Sequence, residues 1–109
     1  MKHIAFAAVL LALSAPALGA EGNAASGQKL FNAKGCYSCH GTVGQGGREG
    51  PRLTPALPLP AFVAQLRSPR AIMPPFQAAI VSDKDAADLH AFLESQPKPP
   101  DPKTIELLK

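Results

Sequence analysis

The chain is 109 residues long, 46% hydrophobic and 17% charged, with a formal net charge of +3 and two cysteines. That length supports one domain rather than two, and two cysteines form at most one bridge, which excludes a disulfide-built scaffold. The basic residues are dispersed, without a dense run or interleaved aromatics, so the sequence offers no nucleic-acid-binding surface.

Residues 1–20, MKHIAFAAVLLALSAPALGA, place Lys2 ahead of the apolar run Ile4–Leu13, followed by small residues and Pro16. This is the layout of a secretory signal peptide, and cleavage is expected near Ala20, with Gly19 as the second candidate. The apolar run is too short to span a bilayer and no later segment replaces it, so no membrane span is expected after cleavage. Roughly 89 residues then remain, a size at which an exported domain needs a disulfide, a metal or a large cofactor to complete its core. Only Lys2 is lost with the leader, which leaves a net charge of +2, from 10 Lys and Arg against 8 Asp and Glu.

Residues 21–35, EGNAASGQKLFNAKG, read as a short helix capped by Asn23 or Ser26 and ended by Gly35. Leu30 and Phe31 face inward, and Gly27, one turn before Phe31, permits close approach of another helix. Residues 41–60 are rich in glycine and proline, and are expected to form an ordered wrap rather than a regular element. A short helix is expected over 61–68, with Phe62, Val63 and Leu66 inward, Pro60 in its first turn and Pro69 as its stop. A bend around Met73-Pro74-Pro75 follows, then one helical turn over 77–80. The clearest helix spans 83–95. Ser82 is its N-cap, Asp85 completes a capping box, and Ala86, Leu89, Phe92 and Leu93 form its buried stripe. The chain lacks strand-like alternation, so the expected fold class is all-α: three to four short helices with ordered loops. The tail 98–109 reads as a surface arm, or as a grip on a partner through Ile105, Leu107 and Leu108.

Both cysteines fall in GCYSCHG, residues 35–41. A thioredoxin-like dithiol has this C-x-x-C spacing, but normally sits at a strand–helix junction, and strands are lacking. A structural zinc needs a further pair of ligands, and the only histidine beyond the motif and the leader is His90. C-x-x-C-H is also the attachment signal of haem c. Two thiols at that spacing add across the two vinyl groups of one porphyrin edge, and His40 is carried beneath the ring as an iron ligand. One covalent haem c consumes both thiols and supplies the apolar core that the short chain lacks.

The sixth iron position separates electron carriers from substrate chemistry. Met73 lies 33 residues beyond His40, is the only methionine after the leader, and precedes two prolines that restrict its loop. It is the expected second ligand; filling a core gap is its plain alternative. His90, beside Leu89, reads as a surface or half-buried histidine. A proximal histidine donates its other ring N–H to a carbonyl or carboxylate. GPRL, residues 50–53, offers the Pro51 carbonyl and leaves Leu53 to pack on the ring. Arg67 and Arg70 flank the turn to Met73 and read either as partners for a propionate or as solvated arginines. Tyr37 reads as a haem-edge or surface-packing residue.

With GQKLF…GCYSCHG at 27–41, GPRL at 50–53, IMPPF at 72–76 and SDKDAADLHAFLESQP at 82–97, the chain resembles class I c-type cytochromes. That resemblance implies a cytochrome c-like fold wrapped around one covalent haem, with residues 21–97 as the domain and 98–109 as a tail. It implies cofactor binding by Cys36, Cys39, His40, Pro51, Leu53 and Met73, and iron ligation by His40 and Met73. It also implies that Gly27 and Phe31 meet the last helix at Phe92. The stretch LPLPAFVAQLRSPRAIMPPFQAAIVSDKDAADLHAFL further resembles small monohaem subunits of periplasmic dehydrogenases, such as the flavoprotein cresol methylhydroxylases. The expectation is therefore a periplasmic, non-enzymatic carrier of single electrons. Its expected partners are a flavin-, molybdenum- or quinone-dependent dehydrogenase and a downstream cytochrome or terminal oxidase.

Overall fold

A computed structural model describes residues 22–109; the expected leader, 1–20, lies outside the described residues. Four α-helices follow one another: α1 (Ala24–Ala33), α2 (Tyr37–His40), α3 (Leu59–Arg67) and α4 (Asp83–Glu94). Two 3₁₀ turns, Pro102–Thr104 and Glu106–Leu108, close the chain. No strand occurs among the described residues, and none of their helices is long and apolar enough to cross a membrane. The fold is the expected all-helical arrangement of short elements.

The Asn23 side chain caps α1, accepting a hydrogen bond from the Ser26 amide at 2.9 Å. At the other end the Cys36 amide donates to the Phe31 carbonyl and the Gly35 amide to the Asn32 carbonyl, both at 3.1 Å. This is a Schellman closure, and Gly35 supplies the left-handed φ of 75° that it requires. Helix α1 therefore ends by delivering the chain directly into Cys36. Helix α2 is a single turn inside the cysteine motif, too short to leave a periodic signal.

Helix α1 lies mainly against α4, with α3 packed more lightly on α4. Gly22 and Gly27 make the first crossing possible. A Cβ on Gly27 would land on the Asp88 carbonyl and within 2.8 Å of the Phe92 Cβ; one on Gly22 would collide with the Ala87 carbonyl. With the backbones this close, the Phe31 and Phe92 rings meet at 5.3 Å, tilted by 55°. This is the contact expected for Gly27, Phe31 and Phe92. The core is completed by Phe62, Leu66, Val81, Ala86, Leu89 and Leu93.

Helix α4 begins with the expected capping box: the Asp85 amide donates to the Ser82 hydroxyl and the Ser82 amide to the Asp85 carboxylate, each at 3.0 Å. Its first turn carries Asp83 and Asp85, which suit the positive helix start. Two expected boundaries move. Helix α3 starts two residues early, with Pro60 in its first turn but Pro58 at the cap. Residues 77–80 form a hydrogen-bonded turn, with the Ile80 and Val81 amides both donating to the Gln77 carbonyl, rather than a helix.

Candidate functional site

The segment after α2 folds back over the cysteine motif. The Gly46 amide donates to the His40 carbonyl at 2.7 Å, and the Leu53 amide to the Gly44 carbonyl at 2.8 Å. Gly41, Gly44 and Gly46 all have positive φ, which is why this return is written in glycine. Its far end is fastened to α4. The Ala56 amide donates to the Glu94 carboxylate at 3.1 Å, and His90 Nε2 to the Leu57 carbonyl at 2.7 Å. His90 is half-buried and engaged by the wrap, as its place on the helix suggested.

His40 is buried at 8% exposure, and its Nδ1 lies 2.8 Å from the Pro51 carbonyl. A carbonyl oxygen can only accept, so Nδ1 carries a proton, and the neutral tautomer this contact selects has its lone pair on Nε2. The ring is thus oriented and set in the tautomer that a metal-binding imidazole needs, before any ligand is considered. Gly50 is the residue that permits this bond. A Cβ there would come within 2.9 Å of His40 Nδ1, His40 Cε1 and the Cys39 carbonyl. Of GPRL only Pro51 and Leu53 are expected at the site; Gly50 is marked in the sequence only by its position immediately before the accepting Pro51.

A cavity of about 690 Å³ opens between the wrap, α3 and the loop that leads to α4. Cys36, Cys39, His40, Pro51, Leu53 and Met73 all contribute to its wall, so every expected site residue is brought to one space. The rest of the wall is largely apolar, from Phe31, Phe62, Leu66, Leu89 and Leu93 among others. Both cysteines are free thiols, and burial pushes the Cys36 thiol up from its ordinary value. That shift disfavours a thiolate at Cys36. Met73 is half-buried, and the Gln65 side-chain amide donates to its sulfur at 3.7 Å. Tyr37 is exposed, outside the cavity wall. No group of three or more His, Cys, Asp and Glu suited to a metal ion occurs among the described residues, so the motif has no second half of a zinc site there.

The residues fit a covalent haem. Cavities for organic ligands and cofactors run to roughly 300–1,000 Å³, are mostly apolar and carry a few placed polar groups. This one presents two unpaired thiols, an imidazole with its lone pair fixed on Nε2, and a thioether.

Arg67 departs from its expected place. It neither sits in solvent nor faces the cavity: its guanidinium donates to the Phe76 and Val81 carbonyls, each at 2.8 Å, and to Asp83 at 2.7 Å. Arg70 is exposed on the cavity rim. Asp88 was missed altogether. It is buried on α4, accepts from the Asn23 amide at 2.7 Å and pairs with Lys84 Nζ at 2.7 Å. The Asn23 N–H, then Lys84, hold its carboxyl below the usual carboxylate range.

A family model described as "Cytochrome C oxidase, cbb3-type, subunit III" matches residues 22–93, well over half of the chain. No curated protein and no solved structure matches it. The family match agrees with a cytochrome-c-like, haem-binding chain and corrects the expected partners. It points to an oxidase complex, not to a shuttle between a flavin-, molybdenum- or quinone-dependent dehydrogenase and a downstream acceptor. The stretch that suggested a dehydrogenase subunit builds the cavity wall and core through Phe62, Leu66, Met73 and Phe76. Residues that line a cavity carry no information about a docking protein.

Proposed function

We propose that this chain, which belongs to the cbb3-type cytochrome c oxidase subunit III family, is an electron-transfer domain of an oxidase complex that holds one haem c. The observation that carries the reading is the convergence of Cys36, Cys39, His40 and Met73 on one apolar cavity, with the His40 tautomer already fixed by Pro51. Cys36 and Cys39 would hold the haem through thioethers, His40 Nε2 and Met73 Sδ would bind its iron, and Leu53 would pack against it. When bound, haem c supplies a one-electron iron couple whose potential a methionine ligand raises.

The chain's own part is to bind, orient and exclude water. The Pro51 carbonyl keeps the proton on Nδ1, so that the imidazole lone pair stays available. The apolar wall disfavours net charge in the site, and so favours the reduced form. Bound to the iron, Met73 would leave no position for a substrate, which supports a carrier rather than a catalytic haem. The domain spans 21–97 in this reading, with 98–109 as a tail. We place it outside the cytoplasm, which the leader-like residues 1–20 and the need for haem c attachment support. Its electron partner is another redox subunit of the oxidase.

Potentiometry with and without carbon monoxide tests the assignment. The expected result is one reversible one-electron wave and a ferrous spectrum unchanged by carbon monoxide. A ferrous form that binds carbon monoxide readily would show an open sixth position and replace the carrier reading with a ligand-binding one.

A further inference from the structure

Met73 is carried by the connection between α3 and α4, which has no regular structure between Arg67 and Asp83 beyond turns. Within it Ala71 sits at φ 56°, in the left-handed region that residues bearing a Cβ rarely adopt. Such a conformation persists only where its surroundings over-determine it. The fastening lies just beyond the methionine. The Phe76 amide donates to the Leu66 carbonyl at 2.8 Å, and one Arg67 nitrogen, Nη1, donates to both the Phe76 and Val81 carbonyls at 2.8 Å. Nη1 carries two hydrogens, so both bonds are made at once. Nη2 reaches Asp83 at 2.7 Å, and the Arg67 side chain is only 22% exposed while Asp83 is 82% exposed. The two carbonyl bonds are therefore the shielded, charge-assisted ones, and the ion pair is the screened one.

We propose that Arg67 is the positioning residue for Met73. Its Nη1 ties two carbonyls of the methionine-bearing connection to the last turn of α3, and so sets how firmly the thioether is presented to the cavity. This inference rests on the reading of Met73 as an iron ligand. Arg67 touches neither the cavity nor the methionine; it acts through the backbone at Phe76 and Val81. A lysine replaces it only in part: its ammonium has donors enough for both carbonyls but lacks the planar guanidinium whose N–H directions are fixed.

The test uses the ferric holo-protein in a urea titration, followed by two signals. One is the long-wavelength sulfur-to-iron charge-transfer absorption of methionine ligation; the other is helical circular dichroism. In Arg67→Gln the equilibrium between band-bearing and band-free protein is expected to shift about tenfold or more toward the band-free form while the helices remain, the scale of one lost charge-assisted hydrogen bond. Arg67→Lys should fall between Arg67→Gln and the parent. Asp83→Asn, which keeps both carbonyl bonds, should match the parent. If Arg67→Gln fails to fold, Arg67→Lys carries the same comparison. Loss of the band only together with the helical signal would overturn the inference, as would an Asp83→Asn shift as large as that of Arg67→Gln. A parent protein with no such band overturns Met73 ligation itself, whereas a parent band indifferent to Arg67 overturns the positioning role alone.

Discussion

His40, Arg67 and Asp88 are each defined by what they hydrogen-bond. His40 gives its Nδ1 proton to the Pro51 carbonyl and so keeps Nε2 free. Arg67 and Asp88 spend their charges on the chain itself. Asp88 is the buried acceptor of the Asn23 amide, one of the orphan donors at the start of α1, and it pairs with Lys84 one turn back on α4. Its lowered pKa makes a stability statement. An unfolded aspartate titrates near ~3.9, so the stabilisation from Asp88 is fully present above about pH 5 and is lost as pH falls through the lower folded value. Asp88→Asn keeps an acceptor for Asn23 but loses the charge. Urea unfolding should therefore show the variant less stable than the parent at neutral pH, with the gap narrowing as pH falls below the unfolded aspartate value of about 3.9. A gap that is unchanged or wider in acid would contradict this account of the carboxylate. His40 and its acceptor were legible because the motif and GPRL name both. Asp88 was not, since an acidic residue beside Lys84 on an amphipathic helix reads as solvated. Nor was Arg67, whose acceptors are backbone carbonyls that no side-chain pattern marks.

At the scale of the element, α1 and α4 form the frame on which the site hangs. Helix α1 ends in the Schellman closure that delivers Cys36, and α4 holds the wrap at Ala56 and Leu57. Gly27 sets their separation, because the Asp88 carbonyl occupies the space where a Cβ would go. Backbone cannot swing aside as a flexible side chain can. Gly27→Ala should therefore cost about 1–3 kcal/mol despite the better helix propensity of alanine. In a domain of this size each kcal/mol lowers the thermal midpoint by about 4–8 °C. A thermal melt of the holo-protein reads the change directly, and an unchanged or raised midpoint would mean that the crossing is looser than described. The long helices were legible from caps and periodicity: Ser82 with Asp85, and the stripe Ala86, Leu89, Phe92 and Leu93. Helix α2 was not, because a four-residue turn lies below any period. The entry to α3 was displaced because Pro58 and Pro60 both suit a helix start.

For the whole molecule, the cavity and the core are one construction. Phe31, Phe62, Leu66, Leu89 and Leu93 belong to the buried cluster and also line the cavity of about 690 Å³. A chain this short gains from a large apolar group at that place what a longer chain would supply with side chains. The sequence made this architecture readable, because a five-residue motif suggests haem c attachment and such a cofactor calls for a hollow core. It did not make the partner readable, because the residues of 57–93 that line the cavity, Phe62, Leu66, Met73 and Phe76, say nothing of a docking protein. Whether a haem is covalently held by Cys36 and Cys39 is the claim on which the rest depends, and intact mass spectrometry after acid denaturation measures it. Protein produced in an exporting host able to attach haem c should carry the mass of the polypeptide plus one haem, and Cys36→Ser/Cys39→Ser the mass of the polypeptide alone. A parent chain that releases its haem on denaturation, or a double variant that retains it, would contradict the account.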